Sequence, residues 1–184
     1  MTCLGLLSRN LFARGDEVRY IFVMRDPLRK IFESGEAFLP RREELRRQGK
    51  VLVFTNGCFD IVHRGHCEYL FAARRLGDFL VVGLNTDESV RRLKGECRPI
   101  QPLEDRAYIL ASLECVDAVI PFPEDTPLRL VTLIKPDVLV KGADYEIDEI
   151  VGAKEVLGWG GRVERIPLVE GRSTSEIIRR IKRC

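Results

Sequence analysis

The 184-residue chain reads as an α/β protein, an open parallel sheet of about five strands with helices on both faces. Three observations predict it. From residue 51 onward, short β-branched runs alternate with segments of helical spacing. Glycine and proline punctuate the joints between them. No internal repeat or low-complexity tract interrupts the alternation. A βαβαβ order of this kind favours parallel strands joined by crossover helices.

The strand-like runs are VLVFT from Val51, FLVVGL from Phe79, VDAVIPF from Val116, DVLVKG from Asp137 and RVERIPL from Arg162. A helix follows Gly65, with Cys67, Leu70 and Phe71 on a common face. Further helical segments are LEDRAYILASLE, TPLRLVTLIK, EIVGAKEVLGW and, last, SEIIRRIKR. These make 50–184 the expected domain. Residues 1–49 are read as an N-terminal extension, partly helical. Within it, DPLRKIFESGEAFLPRREELRRQGK forms one or two charged helices with Pro40 between them, and 1–23 shows no clear pattern, as a disordered segment would. Met24 is a candidate true start, which the intact mass of the native protein would settle.

Bulk composition excludes several classes. Lys and Arg total 30 against 28 for Asp and Glu, a net charge of +2. That balance gives no argument for a nucleic-acid partner. No apolar run approaches a transmembrane length, so no membrane partner is expected. Six cysteines are scattered without a CxxC pair. Arg9, Asn10 and Arg14 break the first residues before a leader-like segment develops. Reduced thiols in a cytoplasm are therefore expected.

The two histidines of the chain, His63 and His66, both lie in FTNGCFDIVHRGH, three apart around Gly65. The stretch runs strand, loop, helix, with Asn56, Gly57, Cys58, Phe59 and Asp60 in the loop. At the carboxyl edge of a parallel sheet, a helix beginning near Gly65 points free N–H groups and a partial positive charge outward, toward an anion such as phosphate. Gly57 and Gly65 allow close backbone approach. Three readings stay open on spacing alone. The histidines cap a helix; or Cys58, His63, His66 and Cys67 bind zinc, against which the adjacency of His66 and Cys67 counts, placing them about 100° apart; or both histidines clamp a phosphate.

TNGCFDIVHRGH resembles the HxGH signature of the nucleotidyltransferase superfamily, which implies a Rossmann-like sheet. GDFLVVGLNTDESVRRLKG, RPIQPLEDRAYILASLECVDAVIPF, PDVLVKGADY and VEGRSTSEIIRRI are similar, in that order, to the bacterial D-glycero-β-D-manno-heptose 1-phosphate adenylyltransferases. The resemblance covers about residues 45–181 and, with no kinase segment, suggests the stand-alone type. It implies transfer of AMP from ATP to a sugar 1-phosphate, with Mg²⁺ accompanying ATP, pyrophosphate leaving, and a role in lipopolysaccharide synthesis. Magnesium binds mainly through phosphates, so no all-protein metal site is expected. A homo-oligomer is also implied.

The resemblance assigns roles. His63 and His66 stabilise charge on the triphosphate rather than act as bases, and Lys94 is the mobile point charge that closes over it. Asn56, Gly57, Cys58, Phe59, Gly65, Arg172, Ser173, Thr174 and Ser175 bind nucleotide, with GRSTS supplying a second helix N-terminus. Lys141 and Asp144 in VKGADY, with Asp60, meet the acceptor, although Asp60 also reads as a partner of loop amides. Arg98 and Arg106 are weaker candidates, the latter for a structural salt bridge. Ala143 replaces the second glycine of KGGDY, which matters if that position needs a positive φ. Alternatives are another acceptor or base on the same fold, such as glycerol 3-phosphate with CTP or FMN with ATP, and a non-catalytic nucleotide-binding regulator.

Overall fold

A computed structural model describes residues 26–167, 169 and 171–183. The readings made for 1–23, Met24, Cys3 and Cys184 fall outside the described residues. After a 3₁₀ turn at Pro27–Lys30 come α1 (Gly35–Arg47), β1 (Leu52–Gly57), α2 (Arg64–Arg74), β2 (Phe79–Asn85), α3 (Asp87–Lys94) and α4 (Leu103–Ser112). Then follow β3 (Ala118–Phe122), α5 (Leu128–Ile134), β4 (Val138–Gly142), α6 (Ala153–Gly158), β5 (Arg162–Ile166) and α7 (Thr174–Ile181).

All strand pairs are parallel, in the order β3-β2-β1-β4-β5. The chain builds outward from β1 to β3, then returns to lay β4 on the free side of β1. The strand order therefore reverses between β1 and β4, and ligands of open α/β sheets bind outside the carboxyl ends at such a reversal.

Alternate strand residues feed two cores, as the pleat requires. Leu52, Phe54, Val81 and Ile120 pack under α1, α5 and α6. Val53, Leu80, Val82 and Val140 pack under α2 and α4, against Leu70, Ala73 and Leu110. β1 to β4 are buried on both sides. β5, an edge strand, is only partly covered and carries Arg162, Glu164 and Arg165, charges that discourage edge-to-edge pairing.

Residues 26–49 belong to this packing. Phe38 is fully buried in the first core, with Leu45 beside it. Ile31 bridges β3, and the Phe32 N–H donates to the Val119 carbonyl at 3.0 Å, covering the other sheet edge. Arg42, nearly inaccessible, donates to the Ile134 and Lys135 carbonyls and to both carboxylate oxygens of Asp137. Asp137 in turn accepts from the Leu52 N–H, so one bidentate pair fixes α1 to β1 and the turn before β4.

Two local expectations are corrected. Pro40 does not separate two helices: α1 runs through it. An interior proline removes one helical hydrogen bond, but Pro40 faces solvent while Phe38, Arg42 and Leu45 hold the helix down on the sheet. Phe71 is not on the buried face of α2. It is 60% exposed, and the face that packs comprises Gly65, Tyr69, Leu70 and Ala73. Among the described residues no helix is long and apolar enough to cross a membrane.

Candidate active site

The site lies where β1 and β4 end. Asn56 on β1 and Lys141 on β4 meet across the reversal, with the Lys141 ammonium donating to Asn56 Oδ1 at 3.2 Å. Burial lowers the Lys141 pKa, and nearby Asp144 pulls it back up. The Lys141 ammonium also lies 5.4 Å from the centroid of the Tyr145 ring.

After β1 the chain turns sharply. Phe59 takes a left-handed backbone (φ 43°), unusual for an aromatic residue. Its buried ring packs on His66 at 5.1 Å and so closely on Gly57 that a Cβ there would lie 3.0 Å from Phe59 Cε2. Packing thus offsets a conformation that costs about 1–3 kcal/mol. Asp60 follows, 1% exposed, accepting from Arg98 Nε at 2.5 Å and from the Ile100 and Gln101 N–H groups at 2.7 and 3.0 Å.

His63 is the N-cap residue of α2, and its side chain makes no capping bond. The first-turn N–H groups of α2 are left without a side-chain cap, which suits an anion. The His63 and His66 rings stack at 3.9 Å and 18°. The Nδ1 atoms of both are buried without a hydrogen-bond partner among the described residues. Burial pushes the His63 pKa down, helped by the Arg172 guanidinium. Burial, then the neighbouring His63, pushes His66 down to about 4, partly opposed by the Ile61 carbonyl. Both rings are therefore neutral near pH 7, each with a polar atom in need of a partner. Gly65 makes the arrangement possible: a Cβ there would lie 3.1 Å from His63 Nδ1 and 3.2 Å from Arg172 Cβ.

The second half of the cradle comes from α7. Ser173 caps that helix, accepting from the Glu176 N–H at 3.1 Å. Thr174 Oγ1 donates to the Ile61 carbonyl at 3.2 Å, tying the α7 start to the loop that carries the histidines. Together these elements line a cleft of about 290 Å³. It brings together Asn56, Gly57, Cys58, Phe59, His63, Gly65 and His66 with Lys141, Asp144, Arg172, Ser173 and Thr174.

Three residues assigned from sequence lie outside that lining. Asp60 turns inward to hold the segment after α3. Ser175 lines a neighbouring cleft instead. Lys94 ends α3 in the open, although its charge acts on both Cys58 and Lys141. Burial raises the Cys58 thiol, with Lys94, Arg106 and Arg98 opposing, so the sulfur is a protonated wall atom rather than a nucleophile. Ala143 does not have a positive φ, and its N–H donates to the Ile166 carbonyl at 2.9 Å, so no glycine is required there. Among the described residues no three His, Cys, Asp or Glu side chains gather as a metal site.

Sequence reading missed Tyr69 and underweighted Arg106. Tyr69, one turn beyond His66 on the same helix face, lines the cleft, and its hydroxyl is 2.7 Å from that of buried Thr55. Arg106 is fully buried and donates to the carbonyls of Gln101, Cys58 and Asn85 and to the Asp87 carboxylate. It joins the histidine loop, the end of β2 and the start of α3. The spacing of an exposed-looking LEDRAYIL helix carries no signal for such a hub.

An open parallel sheet whose order reverses beside a histidine-bearing helix start, faced by a second Ser/Thr-capped helix start, makes this a Rossmann-like α/β protein with its cleft between the two helix starts. The cytidylyltransferase-like family model matches residues 54–180, and the chain belongs to that family. It is 59% identical over 136 residues to the Bifunctional protein HldE of Syntrophotalea carbinolica, covering 74% of this chain and 28% of that protein. With the Bifunctional protein HldE of Nitratiruptor sp. it is 49% identical over 165 residues, 88% of this chain and 34% of the other. The chain thus spans about a third or less of the curated relatives it matches. Among solved structures it resembles a lipopolysaccharide core biosynthesis protein from Thermoplasma volcanium, with 31% identity and TM-score 0.55 over 67% of this chain and all of that one. A pantoate-β-alanine ligase from Francisella tularensis, at 19% identity and TM-score 0.59 over 79% of this chain and 68% of that one, shares the fold.

Proposed function

We propose that this chain moves AMP from ATP to D-glycero-β-D-manno-heptose 1-phosphate, giving ADP-heptose and pyrophosphate. The observation that carries the reading is the pair of helix starts, α2 with His63 and His66 and α7 with Ser173 and Thr174, converging on one cleft and tied by the Thr174–Ile61 bond. Similarity to HldE proteins and to a lipopolysaccharide core biosynthesis protein supports the sugar-phosphate acceptor.

An acceptor phosphate oxygen attacks the α-phosphorus in line, the bond to the β-phosphate breaks, and pyrophosphate leaves. The attacking monoester is already anionic near neutral pH, so no general base is needed. Positioning and charge neutralisation carry the rate. His63 and His66 donate to phosphoryl oxygens, the uncapped N–H groups of α2 and the Ser173 hydroxyl, whose proton is not used in its cap, grip the chain of phosphates, and Arg172 and Lys94 add charge. Lys141 and Asp144 meet the sugar phosphate.

The cleft offers ring nitrogens, hydroxyls and backbone N–H groups, a donor set for phosphate oxygens. Mg²⁺ fits through those phosphates, with Asp144 the carboxylate lining the cleft. Bound this way it neutralises charge on the triphosphate. The transferring unit is 50–184, braced by the packed segment from residue 26. It acts in the cytoplasm as a homo-oligomer, on a nucleotide and a sugar phosphate.

Pyrophosphate release tests the reading: ATP or CTP is offered with heptose 1-phosphate, glycerol 3-phosphate or FMN. Release with ATP and the heptose phosphate is expected. Preference for CTP defeats the adenylyl assignment, and no release with any pair defeats catalysis.

A further inference from the structure

The transfer chemistry gives Tyr69 no part. Its ring belongs to the core on the α2 side of the sheet, its hydroxyl lies 2.7 Å from that of Thr55, and the residue lines the histidine cleft. Resting on the nucleotidyl-transfer reading, we infer that the Tyr69 hydroxyl, together with the Asp144 carboxylate, reads a sugar hydroxyl of the acceptor and so selects a polyhydroxylated acceptor.

Two hydroxyl protons meet at Thr55 and Tyr69, and the bond between the two oxygens uses one of them. Thr55, on β1, is fully buried and has no other hydrogen-bond partner among the described residues. Were Tyr69 the donor, the Thr55 proton would be left in the core without an acceptor, at the full desolvation cost of that group. Thr55 therefore donates. The Tyr69 proton is left for the cleft, toward which the residue is 8% exposed. A hydroxyl that accepts one bond is polarised to donate the next, so the chain from Thr55 through Tyr69 strengthens the bond to a ligand.

The neighbours decide what accepts that proton. Burial raises the Tyr69 pKa and keeps the hydroxyl protonated, and the Asp144 carboxylate adds to the rise. Asp144 is thus close enough to act on Tyr69, yet the two form no hydrogen bond among the described residues. Asp144 also acts on Lys141, whose ammonium donates to Asn56 at 3.2 Å. A carboxylate at this place repels phosphate oxygens, which are charged near neutral pH and only accept. A hydroxyl satisfies both groups, accepting from Tyr69 and donating to Asp144. Sugars supply such hydroxyls, and both substrates carry a sugar. Asp144 and Lys141 follow β4 and meet the acceptor, whereas α2 and α7 hold the nucleotide's phosphates, so the acceptor's sugar takes this place.

Calorimetric titration of the full chain with heptose 1-phosphate, with inorganic phosphate and with ATP is run on the unsubstituted protein, Tyr69→Phe and Thr55→Val/Tyr69→Phe. Phenylalanine keeps the ring, and the double variant removes both hydroxyls together, so that no donor is orphaned in the core. Both variants are expected to bind the heptose phosphate about tenfold more weakly, because a buried sugar hydroxyl loses its donor. Inorganic phosphate and ATP should bind as before, and turnover should show a raised KM for the acceptor at held kcat. Unchanged heptose-phosphate binding in both variants overturns the assignment. Equal weakening of inorganic phosphate means that Tyr69 holds a phosphate oxygen, and weakening of ATP alone means that it reads the ribose; either result overturns it too. Heptose phosphate that binds the unsubstituted protein no better than inorganic phosphate overturns both this assignment and the acceptor it rests on. Titration needs no turnover: the tenfold binding loss, with no pyrophosphate release by the unsubstituted protein, overturns the transfer reading and leaves the Tyr69 contact standing.

Discussion

Arg106→Met isolates the hub beneath the site. Arg106 is fully buried and donates to Cys58 and Asn85 carbonyls at 2.7 and 2.9 Å, to the Gln101 carbonyl at 3.1 Å and to Asp87 at 2.7 Å. Methionine keeps the apolar stem and removes every donor. Each buried acceptor left alone costs about 1–3 kcal/mol, and breaking a buried pair on one side costs roughly 3–5 kcal/mol. Asp87 is 25% exposed and regains water, so the total sits near the pair value rather than the sum. A loss of about 3–5 kcal/mol in urea unfolding at unchanged m is expected. At about 2–4 °C per kcal/mol for a chain of this size, the Tm falls by roughly 6–20 °C. A loss below about 1 kcal/mol would refute the claim that this arginine ties the histidine loop to α3.

Two further predictions follow from the histidine pair. The His66 pKa of about 4 lies below the ordinary 6.5, so the unfolded chain binds its proton first as pH falls. Stability contributed by the neutral ring is present above pH 6.5 and is lost between 6.5 and 4, by up to about 3 kcal/mol at roughly 1.4 kcal/mol per pH unit. Unfolding free energies measured across that window should lose this slope in His66→Asn; an unchanged slope would place the titration elsewhere. In Gly65→Ala, the new Cβ crowds His63 and Arg172 while the helix gains roughly 0.5–1 kcal/mol in propensity. Turnover should drop about tenfold or more with Tm held or raised, because small misplacements of catalytic groups are expensive. Full turnover would show that His63 need not stand where it does.

Much of the fold was readable because its signals are local. The five β-branched runs became β1 to β5, and the glycines and Ser/Thr positions around HRGH and RST fell at helix starts. The strand order was not readable, since nothing in DVLVKG states that β4 returns to the side of β1. That return sets Lys141 beside Asn56. Pro40 misled because a local rule was overridden by Phe38 and Leu45 packing into the core on either side. Phe71 misled because Cys67, Leu70 and Phe71 do fall near one another on a helical wheel, while the sheet accepts the stripe of Tyr69, Leu70 and Ala73. In sequence Arg42 is one charge of a charged helix, and Arg106 a candidate for a structural salt bridge, which it makes with Asp87. Only the carbonyls brought to them from about 92 and 48 residues away make them buried hubs.

The most direct test of the two-helix phosphate cradle is the pyrophosphate-release rate with ATP, Mg²⁺ and heptose 1-phosphate, measured for the unsubstituted chain and for His66→Ala. Loss of one preorganised donor to a developing anion lowers kcat by about 10²–10³. That loss, with an unchanged circular dichroism spectrum, is the predicted result. A His66→Ala protein that keeps its fold and turns over within a few-fold of the original would contradict the account.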